Sequence, residues 1–150
     1  MDIQQKIEEL AALLLSPIDA FIVDIQVIPD GTKKIVRLFI DTDSGITINQ
    51  CAAVSRQLGE TLELQNTIPS HYVLEVSSPD LTKPLKLLRQ YRKNVGRRFR
   101  VRFRNNGSIT EIIALLNEIK GDILTFTTDK NENYTIQFNE IIESIEELPW

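Results

Sequence analysis

Residues 97–104, with the sequence RRFRVRFR, alternate between arginine and apolar side chains. Successive side chains of a strand point to opposite faces, so a period of two predicts a β-strand. Phe99, Val101 and Phe103 are expected to face a core. The opposite face would carry a row of arginines spaced about 6–7 Å apart, namely Arg98, Arg100, Arg102 and Arg104. Any fold of this chain must bury one side of this strand and accommodate cations on the other.

The strand belongs to a longer stretch, residues 83–104, called here the basic segment. It contains ten of the 17 lysines and arginines and no acidic residue, although the formal net charge of the chain is −4. The residues before it carry five basic and twelve acidic side chains, and those after it carry two and nine. Charge arranged in blocks usually marks a binding surface or a solvated face.

Two interpretations of these cations are open. Arginine suits bidentate contacts with phosphate, and closely spaced like charges need a counter-charge, so the favoured interpretation is a polyanion-binding face. Its predicted residues are Lys86, Arg89, Arg92, Lys93, Arg97, Arg98, Arg100, Arg102 and Arg104. The alternative is that the arginines pair with carboxylates of the same chain. The candidates for that pairing are Glu140, Glu143, Glu146 and Glu147.

The first half of the chain reads as alternating helices and strands. Apolar spacing predicts a helix over residues 2–15, and Thr47 with Gln50 predicts a capping box before a helix over 48–63. Strands are predicted over 20–28, 34–41 and 72–77, the first two antiparallel across a tight turn. On the first strand, one face is predicted to carry Phe21, Val23, Ile25 and Val27. The helix joining the last two strands favours a parallel crossover, which gives an α-β-β-α-β domain with two layers.

The second half changes character. Pro84 is suited to the first turn of a short helix over residues 84–93, on which Lys86, Arg89 and Lys93 would share one side. Five short strands separated by turn residues then predict a small antiparallel β-barrel. The whole chain is therefore expected to be an α+β protein with domains at residues 1–82 and 83–150.

A proline-rich stretch separates these halves and predicts a short, stiff interdomain joint. The joint is assigned to Ser77, Ser78, Pro79, Leu81, Lys83 and Pro84.

Catalytic chemistry finds no support in the motifs. His71 is the only histidine, and nothing marks a nucleophile for it to activate. Cys51 lies on the apolar stripe of a predicted helix, where cysteine behaves as a small hydrophobic residue. Asp41, Asp43 and Gly45 resemble the start of a calcium loop, but a strand-to-helix turn explains them better. We therefore expect no enzyme activity, no metal and no cofactor.

The single cysteine and the lack of an apolar span predict a cytoplasmic protein without a membrane partner.

Several stretches together resemble the RimP family of ribosome maturation factors. They are DTDSGITINQCAAVSRQL, YVLEVSSPDLTKPLK and VGRRFRVRF, followed by an acidic last strand. The resemblance covers nearly the whole chain in order and spacing. Three positions depart from the family pattern. Asp80 stands where the family usually has glycine, Thr82 where it has an acid, and Lys83 where it has arginine.

The resemblance implies that the C-terminal barrel is of the Sm-like type. It also implies a non-enzymatic factor that binds the immature small ribosomal subunit, through rRNA and a ribosomal protein, and assists 30S assembly. A monomer is expected. Two other functions remain open. One is an adaptor that binds a basic ribosomal protein without touching RNA, and the other is a ring-forming RNA chaperone of the Sm-like kind.

Overall fold

The computed structural model describes residues 2–80 and 82–148. The chain divides into two compact units, Met1–Pro79 and Asp80–Trp150, called here the N-terminal unit and the C-terminal unit. Leu81, which was assigned to the interdomain joint, lies outside the described residues.

The N-terminal unit contains two helices and a three-stranded sheet. Its elements in chain order are α1 (Ile3–Leu15), β1 (Ala20–Asp30), β2 (Lys33–Thr42), α2 (Ile48–Leu64) and β3 (Tyr72–Ser77). The strand order is β1-β2-β3, with β1 antiparallel and β3 parallel to β2. This is the α-β-β-α-β order predicted from the sequence, and the mixed α+β class is confirmed.

The core of this unit lies between the helices and one face of the sheet. Its buried residues are Ile7, Ala11, Leu15, Ala20, Ile25, Val36, Leu38, Ile40, Cys51, Val54, Leu58, Leu62 and Ile68. The prediction that Phe21, Val23, Ile25 and Val27 share one face of β1 is wrong in the first half of the strand. The pairing with β2 shifts between Ile22 and Asp24, and a bulge of this kind exchanges the two faces of a strand. Ile22 therefore packs against the core together with Ile25 and Val27, whereas Phe21 and the buried Val23 do not belong to this cluster.

Side chains fix the starts of both helices. Thr47 Oγ1 accepts a hydrogen bond from Gln50 N, and Gln50 Oε1 accepts one from Thr47 N, both at 3.0 Å. Asp2 and Gln5 form the same reciprocal pair at the start of α1. Both capping boxes satisfy backbone donors that have no partner inside the helix.

The C-terminal unit is an antiparallel sheet of five strands. They are β4 (Arg98–Asn105), β5 (Ser108–Lys120), β6 (Ile123–Thr128), β7 (Asn133–Gln137) and β8 (Ile141–Glu146). Asn106 and Gly107 both take positive φ in the β4–β5 turn, as a tight two-residue hairpin requires. The buried core of this unit consists of Tyr91, Phe99, Val101, Phe103, Ile112, Ala114, Leu116, Leu124, Phe126 and Ile136.

The expectation of a closed barrel is corrected. The strand order is β7-β6-β5-β4-β8, so β7 and β8 lie at opposite edges and share no ladder in the described part of the chain. A barrel closes only when the two strands at the edges of its sheet pair with each other. Here β7 has five residues and β8 six, and the single helical turn Phe138–Glu140 carries the chain from one edge to the other.

The helix predicted over residues 84–93 is also corrected. The structure has a 3-10 helix that starts later, at Leu88–Asn94. Gln90 provides the reason, because its Oε1 accepts hydrogen bonds from Lys86 N and Leu87 N at 2.6 and 2.7 Å. Those donors are bound by a side chain before the helix begins. Lys86 therefore precedes the helix, and the three-residue period of a 3-10 helix aligns Arg89 with Arg92 rather than with Lys93.

None of the helices within residues 2–80 and 82–148 has the length and apolar character needed to cross a membrane.

Replacing Thr47 with alanine tests the cap of α2. Thr47→Ala should lower the free energy of unfolding of the N-terminal unit by about 1 kcal/mol, because Gln50 N loses its acceptor. Thr47→Ser keeps the hydroxyl and should unfold close to the unmodified protein. Urea unfolding followed by far-UV circular dichroism measures both. Equal losses in the two variants would show that the hydroxyl does not stabilise the helix.

Candidate nucleic-acid interface

The core packing of β4 determines where its arginines point. Phe99 and Val101 are fully buried and Phe103 is 4% exposed. The alternate residues Arg98, Arg100, Arg102 and Arg104 therefore lie on the outer face of the sheet, as predicted. Arg102 is half-buried, and the other three are exposed.

Two arginines at the start of this strand are bound by carboxylates of the same chain. Arg97 Nη1 lies 2.8 Å from Glu146 Oε1. Arg98 makes a two-pronged contact with Asp129, whose Oδ1 and Oδ2 accept hydrogen bonds at 2.9 and 2.8 Å. This fork is the strongest arrangement available to an arginine and a carboxylate. It also lowers the pKa of the Asp129 carboxyl, first through the hydrogen bond and then through the charge of Arg98.

Arg100 has a looser internal partner. Its Nη2 lies 3.6 Å from Glu147 Oε2, which is longer than a charge-assisted hydrogen bond. Its neighbours across the sheet are apolar, since it pairs in register with Ile113 on β5 and Ile145 on β8. The side chain is half exposed, so this guanidinium can leave Glu147 at small cost.

Arg102 and Arg104 differ in their surroundings. Arg102 lies in register between Glu111 on β5 and Glu143 on β8. Arg104 lies opposite Ile109 and has no such neighbour on β5. Among the described residues, neither guanidinium has a carboxylate oxygen within 4.0 Å. Arg104 is therefore the cation of this strand with the least internal compensation.

The alternative of internal pairing thus explains part of the row. Glu146 and Glu147 act as acceptors, as that alternative expected. Glu140 instead binds its own turn, because its Oε1 accepts a hydrogen bond from Gln137 N at 2.9 Å. No local pattern of residues points to Asp129, which lies 31 residues from Arg98 in the turn after β6.

The rest of the basic segment is held against the same sheet. Tyr91 is fully buried, with its ring centroid 6.1 Å from those of Phe99 and Phe138. Burial raises the pKa of the Tyr91 hydroxyl to about 12. Leu85 N donates to Ser144 O at 2.8 Å. These contacts hold the 3-10 helix on the core side of the sheet, opposite the outer face of β4. On this helix and just before it, Lys86 and Arg92 are exposed, and Arg89 and Lys93 are half-buried.

The residues assigned to the joint lie at the division between the units. Ser77 ends β3, and the division falls after Pro79. Asp80 Oδ1 accepts hydrogen bonds from Thr82 N at 2.9 Å and Thr82 Oγ1 at 2.7 Å. These bonds lower the pKa of the Asp80 carboxyl. Asp80 does not adopt the left-handed backbone region. Lys83 N donates to Asp80 O, so hydrogen bonds join all three residues that depart from the family pattern.

The remaining sequence candidates have structural roles. Asp41 is buried, and its Oδ1 accepts hydrogen bonds from Thr42 N and Ile46 N in the turn before α2. Burial, and then the charge of Asp41, raises the pKa of the Cys51 thiol. His71 directly precedes β3, and its carbonyl accepts a hydrogen bond from Lys34 N. Across the described residues, no three His, Cys, Asp or Glu side chains are grouped to hold a metal ion.

The Arg98–Asp129 pair predicts a titration that can be measured directly. The pKa of Asp129 should lie below 3.8 in the unmodified protein and rise toward that value in Arg98→Gln. Because the folded-state pKa is lowered, the pair stabilises the fold above the ordinary pKa, and this contribution is lost as the pH falls through the folded-state value. NMR of the carboxyl carbons follows the midpoint. Arg104→Gln is the control and should leave it unchanged, whereas an unchanged midpoint in Arg98→Gln would contradict the pairing.

The comparison with protein families concerns the N-terminal unit. Residues 10–82 match the family model described as the RimP N-terminal domain. The match begins within α1, includes the whole three-stranded sheet, and extends to Thr82. It confirms the resemblance drawn from the stretches around α2 and β3. The chain belongs to the RimP family, a family of ribosome maturation factors.

Proposed function

We propose that this protein binds the immature small ribosomal subunit in the cytoplasm and assists its assembly. The C-terminal unit contacts rRNA, and the N-terminal unit contacts a basic ribosomal protein. Membership of a family of ribosome maturation factors supports the ribosomal partner. The assignment of each partner to a unit rests on charge and geometry.

One observation carries the RNA assignment. Arg100 and Arg104 project from the outer face of a strand whose other face is fully buried, and neither makes a close hydrogen bond to a carboxylate of the described chain. A row fixed in this way presents cations without the entropy cost of ordering a flexible loop. Phosphate is the most abundant counter-charge on a ribosomal subunit, and contacts with it set affinity and register without reading sequence.

The two units differ in charge, which supports a division of partners. The N-terminal unit carries five lysines and arginines against eleven acidic residues, and the C-terminal unit carries twelve against ten. An acidic surface attracts a basic ribosomal protein and repels phosphate. The protein therefore has one unit suited to each kind of ribosomal surface.

The other basic residues are proposed to contribute unequally. Lys86, Arg89, Arg92 and Lys93 belong to the segment on the core side of the sheet and are proposed to form a second cationic area for rRNA. Arg97 and Arg98 must exchange Glu146 and Asp129 for phosphate, so their net gain is smaller. Arg102 lies in register between two glutamates, whose negative charges reduce the positive electrostatic potential that it presents to RNA.

Assistance of assembly follows from selective binding. A factor that binds one conformation of a maturing rRNA more tightly than another shifts the population toward the first. No catalytic group is needed for this effect, and the mechanism proposed here uses none. The protein acts as a monomer.

The adaptor without RNA contact is the second candidate. The observation in its favour is the pairing of Arg97 and Arg98 with carboxylates of the same chain. It requires that the full chain bind a basic ribosomal protein alone, and that the arginines of β4 have no effect on subunit binding. Sedimentation of the protein alone distinguishes the rRNA-binding factor and the adaptor, which are both monomers, from a ring-forming chaperone, which requires several copies.

Reversing two charges tests the RNA assignment. Arg100→Glu with Arg104→Glu should weaken binding to immature small subunits by about tenfold at moderate salt, because two phosphate contacts are lost. The slope of log affinity against log salt should fall by about two. Filter binding or sedimentation at several salt concentrations measures both quantities.

The matched control is Lys6→Glu with Arg56→Glu, which makes the same charge change at exposed positions of the N-terminal unit. It should leave the salt slope unchanged. If the β4 variant remains folded and binds subunits with unchanged affinity and slope, the RNA assignment is wrong and the adaptor is favoured.

A further inference from the structure

The outer face of β4 has a neighbour that the charge pattern does not reveal. The strand β5 lies beside it and also buries alternate residues, namely Ile112, Ala114 and Leu116. Its outward side chains are therefore Ile109, Glu111, Ile113 and Leu115. Three of these four are aliphatic, with exposures of 62% for Ile109, 40% for Ile113 and 37% for Leu115. We call these three residues the aliphatic row.

The aliphatic row is in register with the arginines. Leu115 lies opposite Arg98, Ile113 opposite Arg100, and Ile109 opposite Arg104. Side chains opposite each other on antiparallel strands have Cβ atoms about 4.5–5.5 Å apart. The outer face is therefore two parallel rows, one cationic and one aliphatic, separated by the width of one strand spacing.

This pairing constrains the kind of RNA that fits. An RNA duplex presents phosphates, 2′-hydroxyls and base edges, and its deep major groove does not admit side chains. Bound to this face, a duplex would leave the aliphatic row against polar groups. Unpaired nucleotides can turn their base faces toward apolar side chains while their phosphates remain on the cations.

We propose that the outer face of β4 and β5 binds single-stranded RNA, with phosphates on Arg100 and Arg104 and base or ribose faces on Ile109, Ile113 and Leu115. The inference rests on the RNA assignment made above and names the form of RNA that this site takes. The substrate is then a segment of rRNA that has not yet paired. Guanidinium planes at the same face provide further stacking for splayed bases.

The charge of the rows supports RNA over an acidic protein as the occupant. Glu111 interrupts the aliphatic row opposite Arg102, so the cations available to a ligand, Arg100 and Arg104, lie on either side of this position rather than next to each other. A single strand of RNA carries a negative charge at every nucleotide and can reach both.

The test uses the full chain and two RNA probes of the same length, about 12 nucleotides. One is single-stranded oligouridylate, and the other is a blunt duplex. The test variant is Ile109→Thr, Ile113→Thr and Leu115→Thr, which places a β-branched residue at all three strand positions and keeps the net charge. The control variant is Leu13→Gln with Leu64→Gln, two exposed leucines on the helices of the N-terminal unit.

The unmodified protein should bind the single strand more tightly than the duplex. The threonine variant should lose about tenfold in affinity for the single strand and keep its affinity for the duplex. Its salt slope should stay unchanged, because no charge is altered. The control variant should match the unmodified protein with both probes.

Three results would overturn the inference: equal binding of duplex and single strand, unchanged binding of the single strand by a folded threonine variant, or no binding of either probe. In each case, the binding of the Arg100→Glu, Arg104→Glu variant to immature small subunits still tests the proposed function separately. If the triple variant does not fold, Ile113→Thr alone is measured, with a smaller loss of the same kind expected. Loss of binding to a ribosomal protein with RNA binding retained would assign the face to a protein partner.

Discussion

The burial of Phe99, Val101 and Phe103 is the constraint on which the C-terminal unit depends. These side chains occupy the core side of β4 and contribute to a cluster that includes Tyr91 and Phe126. Once they are inside, the pleat of the strand leaves the intervening arginines no position except the outer face. The same packing fixes β5 beside β4 and thereby brings the aliphatic row next to the cations. The alternation of apolar residues and arginines along β4 therefore determines both which side chains form the core and which side chains form the surface.

The arginines of this face illustrate how a sheet distributes charge. Those at the start of the strand find carboxylates on other elements, whereas the guanidinium at its end has an isoleucine opposite it. Exposed ion pairs contribute little stability. The main effect of the pairs made by Arg97 and Arg98 is therefore to determine which arginines remain available to bind a ligand. Internal compensation is strongest at Arg98 and weakest at Arg104, which favours the approach of a polyanion at the β4–β5 hairpin end.

The sequence predicted the elements better than their connections. Strict alternation and capping boxes depend on neighbours along the chain, so β4 and the start of α2 were placed correctly. The bulge at Ile22 and Asp24 depends on the register with β2, which no local pattern contains. The delayed start of the helix at Leu88 results from hydrogen bonds to Gln90, and a proline rule alone misses it. Asp129 was missed for the same reason, since its partner lies far away in sequence. The open sheet shows that counting strands does not determine whether the two edge strands, β7 and β8, pair with each other.

The open edges of the C-terminal sheet have a consequence for the protein at high concentration. An unpaired strand offers its backbone to any other extended chain. Here β8 carries Glu143 and Glu146, and β7 is short and polar, with Asn133, Thr135 and Gln137. Two β8 edges that approached each other would bring glutamates together, so like-charge repulsion opposes their joining. The acidity of this last strand therefore works against edge-to-edge association in a sheet that does not close.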